Sequence, residues 1–285
     1  MPTHYSLLSP LRDVPIAVVD VETTGASVAW GDRVIEIGIV RIENGRVAGE
    51  YQQLVDPKRR ISPGITALTG IAPDMCAGQP QFADILPCVR DMLGGAVVMG
   101  HNVQFDLSFI GGEFRRARSE LCDCLPGAHV LDTVRIARRR LGRGGNGLQR
   151  LAARLGVVPT TAHRALADCH TTAGVFERLI EPIGSWNLTL ADTFVAQGGV
   201  MSVTSKKQTE AILPLELEEA MEQRGVVEID YLDASYRRTT RLVEPVRLKK
   251  QGSDVVLVAH CRMRNELRHF KLDRIVKIVR CDVVS

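Results

Sequence analysis

Asp20 and Glu22 stand two residues apart at the end of an apolar run, Ile16-Ala17-Val18-Val19. A short unbroken hydrophobic stretch of this kind reads as a buried strand. Side chains alternate faces along a strand, so Asp20 and Glu22 point the same way. Two adjacent carboxylates repel each other, and a hard divalent cation with oxygen ligands is a common reason to place them together. Thr23, Thr24 and Gly25 end the stretch, and Gly25 lets the backbone turn and approach a ligand closely. The bland alternative is a strand end carrying two solvated acids.

Further chemistry-bearing residues lie downstream. Asp106 closes Gly100-His101-Asn102-Val103-Gln104-Phe105-Asp106, just after the apolar strand Ala96-Val97-Val98-Met99. Asp168 closes His163-Arg164-Ala165-Leu166-Ala167-Asp168. Five residues turn through roughly 140° on a continuous helix. His163 and Asp168 can therefore share a site only if His163 lies on the loop before the helix, and Thr160-Thr161 supply a helix start there.

The elements that must position these residues follow from periodicity. Residues 1–14 read as an irregular arm. Arg33 to Ile42 is strongly β-branched, Glu43-Asn44-Gly45 is a hairpin signal, and Arg46 to Val55 is the returning strand. A short helix is expected at Ile65 to Gly70. In Gln81 to Leu93, Phe82, Ile85, Leu86, Val89 and Leu93 recur at helical spacing. Leu107 to Arg118 reads as a helix, and Val130-Leu131 as a fifth strand followed by Asp132. Helices are expected at Thr133–Leu141, Gly147–Leu155 and Ala165–Ile180. Strands first, then strand–helix alternation, define an α/β sheet with helices on its faces, and ligands sit at strand C-termini in such sheets.

Residues 182–207 change character: glycines with Ser, Thr and Lys pairs break the periodicity. The stretch reads as a linker between residues 1–181 and 208–285, with Trp186, Leu188 and Phe194 packing part of it back. Pro214 is placed as the first residue of an acidic helix reaching Glu222. Five β-rich segments follow: Val226–Tyr231, Thr239–Leu248, Asp254–Arg262, Leu267–Lys271 and Ile275–Cys281. Short strands with turns between them suggest a small barrel or sandwich.

The 285 residues, 45% hydrophobic and 24% charged with a net charge of +3, describe an ordinary soluble protein of one large or two ordinary domains. The seven cysteines are odd in number and scattered, which argues against a disulfide framework and for a reducing compartment. Cys122 and Cys124 lack a second pair at zinc spacing. No apolar run approaches 18 residues and no signal pattern opens the chain, so a cytoplasmic protein with no membrane partner is expected.

Taken in order, Asp20-x-Glu22-Thr23-x-Gly25, Gly100-His101-Asn102-x-x-Phe105-Asp106 and His163-x4-Asp168 resemble the three motifs of the DEDDh 3′–5′ exonucleases, the DnaQ-like enzymes that include the proofreading subunit of bacterial replicative polymerase. Ile65-Thr66-Ala67-Leu68-Thr69-Gly70-Ile71 also resembles a segment common there. The resemblance covers about residues 14–181. It implies a ribonuclease-H-like fold and two Mg²⁺ or Mn²⁺ ions held by Asp20, Glu22, Asp106 and Asp168. It makes His163 the general base on the attacking water. It assigns Thr23, Thr24, Gly25, His101, Asn102 and Phe105 to substrate binding, with the threonine turn holding the terminal nucleotide through backbone groups. Elementary chemistry agrees. Two ions about 4 Å apart can clamp the attacking and leaving oxygens of a phosphodiester. Four carboxylates balance their charge, and a histidine titrating near neutrality can accept a proton.

The tail has its own resemblance. Val227-Glu228-Ile229-Asp230-Tyr231, Thr240 to Pro245, Leu257 to Arg262 and Arg268 to Ile275 are similar to the WYL domain, a small SH3-like (Sm-like) β-barrel of bacterial regulators that bind nucleic acid or nucleotide-like ligands. Its naming tripeptide is replaced by Val255-Val256-Leu257. Tyr231, Arg241, Arg262, Arg268 and Arg274 are the candidate binding residues. Between Tyr236 and Arg280 stand thirteen Lys/Arg against four Asp/Glu, an excess of nine that the whole-chain charge conceals. Such a stripe suits nucleic acid or is a solvated surface. The run Arg135, Arg138, Arg139, Arg140 and Arg143 reads equally as a substrate-attracting patch or a solvated helix face. Ala211 to Leu215 resembles a sliding-clamp peptide, with a hydrophobic staple at a helix entry as the preferred alternative.

The expectation is a metal-dependent 3′–5′ exonuclease acting on single-stranded or frayed DNA and releasing 5′-mononucleotides, in repair or proofreading. A DNA polymerase or clamp is a conceivable partner. The alternatives are an RNA-trimming exoribonuclease of the same fold and a non-catalytic nucleic-acid sensor.

Overall fold

In the computed structural model, residues 5–125, 129–158, 163–203, 215–233, 237–251 and 254–281 are described. β1 (Ile16–Thr23), β2 (Val34–Glu43) and β3 (Arg46–Leu54) open the chain as an antiparallel meander. Asn44 and Gly45 both take positive φ, which is the turn that an Asn-Gly hairpin favours. Next come α1 (Pro63–Thr69), α2 (Pro73–Cys76), α3 (Phe82–Leu93), β4 (Val97–Gly100), α4 (Gln104–Arg116), β5 (His129–Asp132), α5 (Thr133–Leu141), α6 (Leu148–Arg154) and α7 (Ala165–Ile180). β4 and β5 run parallel to β1. The sheet is therefore mixed, with strand order β3-β2-β1-β4-β5-β6.

The sixth strand comes from the stretch read as a linker. Between 182 and 203 the chain forms α8 (Leu190–Gln197) and β6 (Met201–Ser202), and β6 pairs antiparallel with β5. Thr189 caps α8 by accepting from Asp192 N. Leu190 and Phe194 are buried in the core with Tyr5, Leu11 and Val14, so the N-terminal arm packs on this segment as well. Its short, glycine-flanked periodicity concealed a helix of eight residues. Residues 204–214, with the clamp-like peptide up to Pro214, lie outside the described residues, as do Thr160 and Thr161.

Two apolar layers sandwich the sheet. Ile16 and Val18 of β1 face one layer with α5, α6, α7 and α8. Ala17, Val19 and Val21 face the other with α3 and α4. Asp20 and Glu22 continue the first series and so face α7.

The tail consists of α9 (Leu215–Gln223), β7 (Val226–Leu232), β8 (Arg238–Gln251), β9 (Asp254–Cys261), β10 (Glu266–Lys271) and β11 (Ile275–Cys281). All neighbours are antiparallel, in the order β10-β9-β8-β7-β11. Among the described residues no β10–β11 pairing closes this sheet, so the expected barrel is seen as an open five-stranded sheet. Leu217 and Ala220 of α9 pack with Val227, Ile229, Val243, Leu257 and Phe270 into its own core.

Candidate active site

β1 carries Asp20 and Glu22 to its C-terminal end, where they pair in register with Gly38 and Glu36 of β2. A bulge between Glu22 and Thr23 then starts the turn. Thr24 N donates to Arg33 O at 2.9 Å, and Arg33 N donates back to Thr24 Oγ1 at 3.0 Å. The Thr23 hydroxyl donates to Gly25 O at 2.6 Å. A Cβ on Gly25 would lie 2.5 Å from the Asp32 carboxylate, so glycine here admits a neighbour within the turn itself. Both threonine side chains are thus spent on shaping the turn.

β4 delivers the second motif. A Cβ on Gly100 would strike the Val103 side chain at 2.7 Å, and Asn102 takes φ +63°. Asp132 stabilises this tight turn by accepting from Asn102 N at 3.1 Å, while capping α5 through Val134 N at 2.9 Å. α4 starts two residues later and carries Asp106 in its first turn. Asp106 Oδ1 accepts from Val21 N at 2.9 Å, which pins it between Asp20 and Glu22. Phe105 stacks on Phe109 at 4.9 Å.

His101 differs from expectation. Its Nε2 meets Asn146 O at 2.6 Å and its Nδ1 meets Thr133 Oγ1 at 2.7 Å. A carbonyl only accepts, so the neutral ring carries its proton on Nε2 and accepts from the Thr133 hydroxyl. Desolvation lowers its pKa to about 4. Both nitrogens are engaged within the protein, so the ring braces the loop and has no nitrogen left for a substrate.

The third motif comes from α7. His163 lies on the turn before the helix with φ +59°, as its spacing from Asp168 requires. His163 N donates to Asp168 Oδ2 at 3.0 Å, and Gln149 Nε2 donates to Asp168 Oδ1 at 2.7 Å. One ligand atom each of Glu22, His163 and Asp168 lies within 4.8 Å of the others, with the His163 ring exposed.

The electrostatics are those of a crowded anionic site. Burial raises the pKa of Asp20 well above the carboxylate range, and repulsion from Asp106, Glu22 and Asp168 adds to it. Glu22 is raised by burial, then by Asp168, Glu36 and Asp106. Burial lifts Asp106 to about 8 against the hydrogen bond from Val21, and Asp168 to about 6. A divalent cation relieves both desolvation and repulsion, so this donor set fits Mg²⁺ or Mn²⁺. Desolvation lowers the His163 pKa.

Sequence reasoning passed over four residues that shape the site: Glu36, Arg164, Gln149 and Asp132. A charged residue inside the β-branched run Val34 to Ile42 was the available signal for Glu36. For Asp132 the signal was its place between a strand and a helix start, where it caps Val134 N; Gln149 had none, since its partner lies 19 residues away in the chain.

Two arginines of the basic run face the tail, while Arg135 Nη2 donates to Gly198 O at 3.4 Å. Arg138 lies 3.4 Å from Glu218 and 3.7 Å from Glu219 of α9, and Arg143 lies 3.8 Å from Glu222. Glu219, 1% exposed, also accepts from Asn146 Nδ2 at 3.2 Å. These two arginines therefore dock the tail, a reading the local sequence did not offer. In the tail sheet, Tyr231 meets Phe270 edge-on at 5.2 Å. Arg262 and Arg268 lie 2.8 and 3.9 Å from Glu244 and Glu266, and Arg241 contacts the Met263 sulfur. Arg274 follows in a 3-10 turn, Leu272–Arg274.

A mixed sheet with acids converging at the end of its first strand, and a histidine on the turn before α7, which packs over it, defines a nuclease of ribonuclease-H-like fold. The exonuclease family model matches residues 17–176, and the chain belongs to that family. The WYL domain model matches residues 214–280. The chain is 35% identical over 167 residues to the 3′-5′ exonuclease DinG of Bacillus subtilis, covering 58% of this chain and 18% of that protein. It is 32% identical over 173 residues to the PolC-type DNA polymerase III of Staphylococcus aureus, covering 60% of this chain and 12% of that one. The chain thus spans less than a fifth of either relative. In fold it is similar to exonuclease I in complex with a dA16 oligonucleotide, with a TM-score of 0.52, 17% identity, 86% of this chain and 55% of that chain.

Proposed function

We propose that the protein is a metal-dependent 3′–5′ exonuclease that releases 5′-mononucleotides from single-stranded or frayed DNA. The observation that carries this is the convergence of Glu22, His163 and Asp168 within 4.8 Å beside buried Asp106 and half-buried Asp20. Asp20, Glu22, Asp106 and Asp168 would hold two Mg²⁺ or Mn²⁺ ions, which when bound stabilise charge on the attacking and leaving oxygens. His163, exposed and uncharged near neutrality, accepts the proton of the attacking water. Backbone groups of the Thr23-Thr24-Gly25 turn and the Asn102–Phe105 segment flank the position of the terminal nucleotide.

DNA is favoured over RNA because one relative, the PolC-type protein, is a DNA polymerase III by name, while DinG is named a 3′-5′ exonuclease. A role in repair or proofreading in the cytoplasm is the corresponding biological reading; all seven cysteines are free thiols, and no described helix is long and apolar enough to cross a membrane. The tail supplies a binding surface for nucleic acid or a regulatory ligand through Tyr231, Arg241, Arg262, Arg268 and Arg274. Nothing in the comparisons supports a clamp or polymerase partner for this chain. The test is incubation of matched DNA and RNA single strands with Mn²⁺, followed by chromatography of the products. 5′-Mononucleotides formed faster from DNA support the assignment. Internal fragments, or preference for RNA, refute it.

A further inference from the structure

Glu36 is 0% exposed on β2 and sits opposite Glu22 in register. A carboxylate buried beside an acidic cluster is unfavourable unless it is paired and hydrogen-bonded. Its partners come from the start of α7. Arg164 Nη2 donates to Oε1 at 2.7 Å, and Arg164 Nε reaches the two carboxylate oxygens at 3.1 and 3.2 Å. Ala165 N donates to Oε2 at 3.0 Å, taking up one of the free amides at the helix start. Gln52 Nε2 steadies Oε1 from β3 at 2.8 Å. Two residues along β2, a Cβ on Gly38 would lie 2.4 Å from the Ala165 backbone, so the helix start rests directly on the strand.

These contacts join two pieces of the site that are otherwise 128 residues apart in sequence. On one side is the strand paired with β1, which bears Asp20 and Glu22. On the other are the two residues that follow His163. His163 itself holds a left-handed backbone that residues other than glycine adopt at a cost. Something outside the turn must hold it there, and Glu36 grips the next two residues at three hydrogen-bonding groups.

We propose that Glu36, acting through Arg164 and Ala165 N, is the positioning residue that places the His163 ring over Glu22 and Asp168. Glu36 touches neither substrate nor metal; it fixes the turn from which the base projects. This inference rests on the reading of His163 as general base. A misplacement of about 1 Å in a reacting group can cost about 10²-fold in rate.

A double-mutant cycle separates this role from mere anchoring of the helix. Glu36→Gln keeps the shape but loses the paired charge that orients Arg164. With saturating Mn²⁺ and a single-stranded oligonucleotide, kcat should fall about 10- to 10²-fold while KM stays within about threefold. In a His163→Ala background the same substitution should cost less than about threefold, because the group it positions is gone. Equal losses in both backgrounds would overturn the proposal, as would a wild-type kcat for Glu36→Gln. If His163→Ala alone turns over at the wild-type rate, the base assignment fails first and this inference fails with it. Should Glu36→Gln show no cooperative melting transition, Arg164→Gln, whose side chain is 36% exposed, carries the same cycle with the same outcomes.

Discussion

Asp106→Asn should make the metal-free protein more stable while abolishing its response to metal. Asp106 is 4% exposed, and its pKa is raised from 3.8 to about 8, chiefly by burial. A carboxyl whose folded pKa is raised contributes stability that is complete below its unfolded pKa and is lost as pH rises through the folded one. Between pH 3.8 and 7 the unfolded side chain ionises and the folded one stays largely protonated. That span is about three pH units at 1.36 kcal/mol each, so about 4 kcal/mol is lost by neutral pH, as a ceiling. Asparagine has the shape of the protonated carboxyl and can still accept from Val21 N. It carries no charge, so it escapes the loss. For a domain of this size 1 kcal/mol moves Tm by about 2–4 °C. In EDTA at pH 7 the variant should therefore melt several degrees above the wild type, and at pH 4 the two should converge. Adding 5 mM Mg²⁺ should raise the wild-type Tm strongly and the variant's little. Thermal melts at the two pH values, with and without Mg²⁺, decide it. A variant that is less stable than wild type in EDTA at pH 7, or that gains as much from Mg²⁺, refutes the reasoning.

Other outcomes follow from the same geometry. His163→Ala should lower kcat by about 10²- to 10⁴-fold with little change in metal affinity. Because desolvation lowers the His163 pKa, the wild-type rate should fall on an acid limb below pH 6.5, and that limb should vanish in the variant; an unchanged pH–rate profile removes the base role. Replacing Arg241, Arg262, Arg268 and Arg274 together should weaken single-strand binding and flatten its salt dependence. At about −0.7 per phosphate neutralised, three or four lost contacts change the slope by roughly 2 to 3. The same slope in wild type and variant, measured in Ca²⁺ to suppress cutting, would mean that the tail binds something other than a phosphate backbone. Truncation after Val203 should retain cleavage, because β6 completes the sheet at that point.

The parts of the fold set by local pattern were readable in the sequence. The alternation that puts Asp20 and Glu22 on one face, the Asn44-Gly45 turn, and the periodicity of Gln81 to Leu93 all depend on neighbours within a few residues. So did the requirement that His163 sit ahead of its helix. The parts set by distant partners were not readable. His101 was expected to bind substrate together with its motif neighbours Asn102 and Phe105; only folding brings Asn146 and Thr133 to its two nitrogens. Glu36 meets Arg164 across 128 positions, and Arg138 meets Glu218 across 80. The basic run on α5 therefore gave no sign that its partner was the acidic helix of the tail. In the segment 182–203, Trp186, Leu188 and Phe194 pack back as expected, but its helix and strand were missed for another reason. Its glycines break periodicity, yet Thr189 and Gly198 are the N-cap and C-cap of a short helix between them.

A time course with a 5′-labelled single-stranded DNA oligonucleotide, resolved on a denaturing gel, tests the assignment of the site most directly. Wild-type protein with Mn²⁺ or Mg²⁺ should shorten the strand one nucleotide at a time from its 3′ end. EDTA should stop the reaction, and Asp20→Asn should remove nearly all of it while melting cooperatively. An intact strand in Mn²⁺, cuts that begin inside the strand, or undiminished activity in Asp20→Asn would contradict the assignment of these acids as a metal-dependent 3′–5′ exonuclease centre.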